Sequence, residues 1–452
     1  MRGVENLITQ DRHWVHPVTA LLEHESVGPT IWTSAQGIHL TDIHGKRVQD
    51  AFSGLWCVNA GYGQQTIVDA ATAQLEKLPY ATGYFHFASE PAIRLASRLT
   101  ALAPQGLNRV VFGQGGSDAV DTAIRLVRYY FNAIGRPKKK QFIGLQRGYH
   151  GSSSNGSGLT ALPLFHRYFD VPTPEQHHIP SPYTYRHPDG PDEQKVLLST
   201  VMALEEKVSQ LGADTVAAFI CEPIQGSGGV IVPPKGFLKA MRETCDRLGI
   251  LLIVDEVITG FGRTGPMFAC ETEDVSPDLL TVAKGLTSGY APMGATFISE
   301  PIYAALAEAG SDGTALGHGQ TYAGHPVSAA IANATLDLYE GGLLENGVSV
   351  GAYFQQRLKE LEAIECVGDV RGRGLLAAVE LVVDKRSKAK PASHLKLGQQ
   401  VLKHAFEEGL VFRAFADDIL GFAPSLNYTV ADIDTLMDIL KHSINKAVAS
   451  SL

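Results

Sequence analysis

A chain of 452 residues with 44% apolar and 19% charged side chains is long enough for two or three packed units and excludes fibrous, collagen-like and disordered classes. Its net charge of −9 argues against nucleic acid or an anionic membrane as partner, because both need a concentrated positive field. Five scattered cysteines with no C-x-x-C pair, no run approaching the roughly 18 apolar residues of a membrane span, and no apolar signal core near the N-terminus give the expectation of a cytoplasmic protein without disulfides or metal.

The first sixty residues read as a short helix followed by a hairpin, in which Gly37-Ile38-His39-Leu40 and Arg47-Val48-Gln49-Asp50 flank the turn signal Asp42-Ile43-His44-Gly45. From about Gln64 onward, amphipathic helical patterns alternate with short apolar runs. These runs are Arg109-Val110-Val111-Phe112, Gln141-Phe142-Ile143-Gly144, Val216-Ala217-Ala218-Phe219-Ile220 and Leu251-Leu252-Ile253-Val254. Unbroken apolar runs mark strands buried on both faces, so the four predict a largely parallel sheet covered by helices. Lys138, Lys139 and Lys140 read as a solvated turn after Pro137. The four prolines between Pro180 and Glu193 mark a surface connection. An Ala-rich helix follows Gly324-His325-Pro326. It leads to a strand near Leu375–Leu381 and a final helix from about Asp432 to Val448. The expected fold class is α/β: a large domain over 61–325, with residues 1–60 and 326–452 joining in a smaller α+β domain.

Chemistry concentrates at the ends of the apolar runs. Asp255 and Glu256 close Leu251-Leu252-Ile253-Val254, and a buried carboxylate there needs a cationic partner: a protonated pyridine nitrogen, a metal ion or an arginine, or else it caps the following turn. Lys284 closes Leu279-Leu280-Thr281-Val282-Ala283, where desolvation favours the neutral, nucleophilic amine. Isolated lysines more commonly snorkel to solvent. Phe112-Gly113-Gln114-Gly115-Gly116-Ser117-Asp118-Ala119 runs from strand to helix and suits a phosphate, although a plain Gly-rich turn would look the same. Gly148-Tyr149-His150-Gly151-Ser152 offers an aromatic ring for stacking on a planar ligand; a structural Tyr is the bland alternative.

Taken together these segments resemble the class III, or omega, aminotransferases of the fold type I pyridoxal-phosphate enzymes. The resemblance runs from Gly54-Leu55-Trp56-Cys57-Val58-Asn59 to Ala423-Pro424-Ser425-Leu426. Its most specific part is Asp255-Glu256-Val257-Ile258-Thr259-Gly260-Phe261-Gly262-Arg263-Thr264-Gly265 followed by Ala283-Lys284-Gly285. It implies pyridoxal 5'-phosphate as cofactor, with Lys284 as the Schiff-base lysine and proton carrier. Asp255 would pair with the pyridine nitrogen, which sustains the ring as an electron sink. Tyr149 would stack on one ring face and Val257 on the other, with Glu222 beside the cofactor. Gly116 and Ser117 would hold the phosphate, and Thr321 would reach the phosphate of the neighbouring subunit in a homodimer. Where the family usually reads Ser-Gly-Ser-Glu-Ala-Asn, this chain has Gly115-Gly116-Ser117-Asp118-Ala119-Val120, so a hydroxyl and an amide are missing from the cup.

The branch is argued from charge. Relatives that use 2-oxoglutarate pair an arginine with a switch glutamate in Gln-Gly-Glu-Gly-Gly; here the position is Ser227, and Ile258 stands where they place a glutamine. Arg371 would then lack its mask. The omega-amino acid and amine:pyruvate branch resembles this chain at Trp56 and Tyr84, expected to line the substrate pocket with Tyr149, and at Arg413, expected to bind a carboxylate. The expectation is ping-pong transfer from an amine donor to pyruvate, giving L-alanine. A glutamate-using transaminase, an aminomutase or decarboxylase of the same fold, and a non-catalytic nucleotide-binding protein are the alternatives. The donor is not legible in the residues, nor whether Arg413 or Arg371 anchors the carboxylate.

Overall fold

In the computed structural model, which describes residues 2–451, a seven-stranded sheet has the spatial order Leu107–Gly113, Gly294–Ser299, Leu279–Val282, Leu251–Asp255, Val216–Cys221, Gln141–Leu145, Gln176–Ile179. All neighbours are parallel except Gly294–Ser299, which runs antiparallel to both of its partners. The four apolar runs all lie in this sheet, as expected of strands covered on both sides.

Alternation along these strands feeds two cores. Ile143, Phe219, Cys221, Leu252 and Val254 face one core, whereas Phe142, Ala218, Ile220 and Ile253 face the other, as the two-residue period of a strand requires. Helix Gly116–Ala133 covers the second face with Val120, Ala123, Ile124, Val127 and Phe131, a spacing of three and four that forms one helical stripe. Helices Glu193–Leu211 and Phe237–Leu248 cover the first with Leu204, Val208, Leu238, Met241 and Cys245. The former starts at Asp192, whose carboxylate accepts from the Gln194 and Lys195 amides. The latter stops at Gly249, whose φ of 61° favours glycine.

Lys139 departs from the expected solvated turn. It is buried, and its Nζ donates to the Val216 and Gly249 carbonyls at 2.8 and 2.7 Å. Burial pushes its ammonium down to about 8. The cation clamps the carbonyl that opens strand Val216–Cys221 to the one that caps the end of helix Phe237–Leu248.

Both ends of the chain contribute to two small sheets. Trp32–Gln36, His39–Asp42 and Arg47–Asp50 are antiparallel, and Leu410–Val411 joins the last of them in parallel with Leu410 opposite Gln49. The hairpin is thus present, extended by one strand on each side. The second sheet has the order Val367–Arg373, Leu376–Leu381, Ile419–Phe422, Arg413–Ala414. Helices Pro326–Leu338 and Val430–Ser451 match the expected Ala-rich and C-terminal helices. Fully buried Arg263 links these parts, donating to the Leu375 carbonyl at 3.2 Å and to Asn59 Oδ1 at 2.7 Å. Among the described residues no helix is long and apolar enough to cross a membrane.

Candidate active site

Three adjacent parallel strands end together and place three ionisable groups. Cys221 lies opposite Val254, and Asp255 opposite Thr281. Glu222 follows the first strand, Asp255 closes the second and Lys284 stands two residues beyond the third. Carboxyl ends of parallel strands are where open α/β sheets bind ligands.

Lys284 keeps partial exposure to the cleft, yet the surrounding protein desolvates it. Burial pushes its ammonium down to about 8, against the opposing pull of Cys57, Asp255 and Glu222. Its φ of 46° lies in the left-handed region, a costly conformation that the neighbouring structure must impose. Trp56, nearly fully buried, lies beside it, with Lys284 Nζ 5.3 Å from the indole centroid.

Asp255 is held from two sides. His150 Nδ1 donates to Oδ2 at 2.9 Å, and the Val257 amide donates to Oδ1 at 3.1 Å. The turn-capping role considered for this residue is therefore real, and it coexists with the histidine contact. His150 is fixed in turn by its amide, which donates to Thr160 Oγ1 at 2.8 Å, and its Nε2 is buried with no hydrogen-bond partner. Glu222 accepts from the Tyr149 amide at 2.9 Å and the Gly226 amide at 3.0 Å. Burial pushes its carboxyl up to about 7.

The glycine turn closes over these groups. A Cβ at Gly116 would come within 2.8 Å of Val257 Cγ1, so only glycine lets the start of helix Gly116–Ala133 approach the Asp255 segment this closely. That helix carries no side-chain cap, and its first amides are available to an anion. Ser117 Oγ accepts from the Ser152 amide at 3.3 Å. A cleft of about 290 Å³ runs from Gln114, Gly115 and Gly116 to Lys284, Tyr290 and Met293. Tyr149 is half-buried, its ring 5.2 Å from that of Phe165.

Beyond Trp56 the wall is apolar. Trp56 packs with Phe52, Ile224, Val230, Ile258 and Phe415, and its ring stacks on Phe415 at 6.2 Å. The Arg413 guanidinium lies 5.9 Å from the Phe415 ring. Arg413 is exposed and, among the described residues, makes no ion pair. Arg371 is the reverse: its guanidinium contacts Asp369 at 2.6 Å, Glu380 at 3.0 Å and the Gly229 carbonyl at 2.6 Å. Tyr84 and Thr321 belong to a separate neighbourhood. Both are exposed; a Cβ on Gly319 would meet the Tyr84 hydroxyl at 2.8 Å, and Tyr80 donates to the Thr321 carbonyl at 2.9 Å.

Residues 22–444 match the aminotransferase class-III family. The chain belongs to that family. This aminotransferase is 39% identical to a putrescine–pyruvate aminotransferase of Pseudomonas aeruginosa over 98% of its own length and 96% of the relative's. It is 38% identical to a diaminobutyrate–2-oxoglutarate transaminase of Halomonas elongata over the same shares. Among solved structures it is similar to an (S)-enantioselective omega-transaminase from Thermomicrobium roseum, with TM-score 0.94, 38% identity and 98% of each chain covered. An omega-transaminase from Pseudomonas jessenii in complex with PMP gives TM-score 0.96 and 36% identity, covering 98% of this chain and 99% of that one. The protein is a pyridoxal-phosphate-dependent aminotransferase with the fold type I architecture, and its cleft fits the cofactor: a desolvated amine and an uncapped helix start line it, and the buried Asp255 closes the strand next to the one that leads to Lys284.

His150 is the aminotransferase residue whose position the sequence did not reveal. It stands between glycines beside Tyr149, but the carboxylate it holds lies 105 positions away. No local pattern carries such a contact.

Proposed function

We propose that this aminotransferase moves an amino group from an omega-amino acid or primary amine to pyruvate, releasing an aldehyde or ketone and then L-alanine in two half-reactions. The carrying observation is the contrast between its two candidate arginines. Arg371 is occupied by protein carboxylates and carbonyls, so it has no fork to offer a substrate, whereas Arg413 stands at the end of an aromatic path that leads through Phe415 and Trp56 to Lys284. Ser227, in place of a switch glutamate, agrees with an enzyme that has no second arginine to mask.

Pyridoxal phosphate, when bound, supplies an electron sink for the pair released as a proton leaves the amine-bearing carbon. Lys284 tethers it and carries that proton, and its lowered basicity keeps a usable fraction of neutral amine near neutral pH. Asp255, anchored by His150, would hold the proton on the pyridine nitrogen. Tyr149 and Val257 would flank the ring, Glu222 fixes the Tyr149 segment through its amide, and Gly116 and Ser117 would receive the phosphate. Trp56 bounds the substrate space with Tyr149; Tyr84, in a separate neighbourhood of the same chain, does not join them within one subunit.

The site is proposed to complete itself in a homodimer, with Thr321 reaching the phosphate of the neighbouring subunit. Supporting this, Thr321 and Tyr84 share an exposed surface with Phe85, Phe87 and Tyr322, which are 81%, 64% and 55% exposed. An apolar patch of that kind calls for cover. The large domain is placed at 61–325 and the small one at 1–60 with 326–452, a division supported by the sheets to which each segment contributes.

The test is a comparison of acceptors with one amine donor lacking a carboxylate. Pyruvate should far exceed 2-oxoglutarate, and Arg413→Ala should lower kcat/KM for pyruvate roughly ten- to a hundredfold, the worth of a charge-assisted contact, while the amine half-reaction is spared. A preference for 2-oxoglutarate, or equal loss in both half-reactions, would move the enzyme to the glutamate-using branch.

A further inference from the structure

Residues 2–30 pose a problem of stability. Helices Arg2–Asp11 and Leu21–Val27 flank a linker, the second helix has no buried residue, and among the described residues none before Ile38 belongs to a hydrophobic core cluster. Short helices without a core need another tie. The tie is polar. Asp11 ends the first helix, His16 lies in the linker, His24 lies in the second helix, and the carboxylate takes one imidazole on each oxygen. His16 Nε2 is 2.9 Å from Oδ1, and His24 Nε2 is 2.8 Å from Oδ2. The two imidazole centroids are 4.3 Å apart, and Trp14 packs 4.2 Å from the His16 ring.

We propose that Asp11, His16 and His24 form a zinc site that staples the N-terminal helix pair, apart from the catalytic cleft. The donor atoms all lie within 4.8 Å of one another. All three side chains are largely but not fully enclosed, at 14–19% exposure, so an ion has a route in. A tetrahedral Zn²⁺ with bonds of about 2.0–2.1 Å sets its ligands roughly 3.3 Å apart. Seated on one carboxylate oxygen, the ion opens that oxygen's imidazole contact by about half an ångström and draws the other imidazole in from within 4.8 Å. Two imidazoles and one carboxylate suit Zn²⁺ rather than Mg²⁺ or Ca²⁺, which prefer all-oxygen sets. Glu25, exposed, lines the same small cavity with Ile8 and Leu21, and water would complete the fourth position. Binding to a folded arrangement drawn from two helices and their linker stabilises that arrangement by the affinity gained.

The test uses tag-free holoenzyme and zinc alone, titrated in competition with a chromophoric chelator. One Zn²⁺ per chain is expected, with affinity falling as pH drops and protons compete for the imidazoles. His16→Gln and His24→Gln keep an N–H donor toward Asp11 but lose the ligand, so each should weaken zinc at least tenfold without unfolding the segment. His442→Ala, on a 64% exposed imidazole, should leave zinc binding unchanged. Zinc should also protect the 12–20 linker from proteolysis in the native chain and not in the Gln variants, with transaminase turnover unaltered. Absence of stoichiometric zinc, or zinc retained at full affinity in both Gln variants, would overturn the site and leave Asp11 as a hydrogen-bond hub only.

Discussion

Two arginines occupy opposite edge strands of one four-stranded sheet, and they live under opposite conditions. Arg371, on Val367–Arg373, is surrounded by Asp369, Glu380, the Gly229 and Val230 carbonyls and the Tyr183 ring. Arg413, on the two-residue strand Arg413–Ala414, has an aromatic ring beneath it and solvent around it. The same residue type is structural in one place and available in the other. The difference teaches that a cation serves a ligand only where the protein leaves it without an acid of its own.

The largest effect is expected on the cleft floor, which sets the scale for both arginines. Lys284→Ala should lower turnover by roughly two to four orders of magnitude, the usual worth of a positioned proton carrier, and borohydride should fix the cofactor to the Lys284 peptide of the wild type. Label on another lysine would remove the assignment. Because the amine is pushed down to about 8, cofactor uptake by the apoenzyme should rise with pH as ammonium becomes amine and level off above about pH 8. A rise continuing to the ordinary lysine range would show that Lys284 is not desolvated.

Next in size is Arg371→Met. Burial alone would raise the Glu380 carboxyl, but Arg371 and Lys390 hold it down to about 2. Removing the central cation leaves the partly exposed Asp369 without its partner while Glu380 keeps Arg186 and Lys390, so the cost stays below the about 3–5 kcal/mol of a buried charge left wholly unpaired. The denaturation midpoint should drop accordingly while the folded fraction keeps its preference for pyruvate. Arg413→Ala should do the opposite, with stability changed by no more than about 0.5 kcal/mol, as for an exposed side chain. An Arg371 variant of normal stability that lost its acceptor would reverse the two roles.

The sheet and the cleft floor were legible because they depend on local pattern: unbroken apolar runs place the strands, and Asp255 and Lys284 sit at their ends. Gly294–Ser299, the single reversed strand, was not legible, since Gly-Ala-Thr-Phe-Ile-Ser gives no sign of its direction. Lys139 was misread because a Lys-Lys-Lys run after proline carries no trace of the carbonyls that receive its middle member. The Arg371 network was hidden for a related reason. Asp369 is two positions away, but Glu380 meets it across a strand pair and Tyr183 arrives from the proline-rich connection. Contacts formed by folding across such distances leave no spacing to read.

The smallest expected effect concerns how the Arg413 edge is kept in place. The turn between Arg413–Ala414 and Ile419–Phe422 carries Phe415 and Asp417. Asp417 pairs with Arg147 at 2.7 Å, and Arg147 Nε also donates to the Gly228 carbonyl at 3.1 Å. Arg147 stands two residues before Tyr149, so the pair clips the rim that bears Arg413 to the segment that bears the proposed stacking ring. Both partners are well exposed, at 37% and 54%, and an exposed ion pair is worth about 0.2–1 kcal/mol. Asp417→Asn should therefore raise KM for pyruvate by roughly two- to fivefold at most, leave kcat unchanged and spare the amine half-reaction, with Asp417→Glu restoring most of the loss. High salt should weaken the wild type toward the Asn variant, because screening acts on the same pair. A fall in kcat with KM unchanged would place the effect on the cleft floor and show that the clip does not act through Arg413.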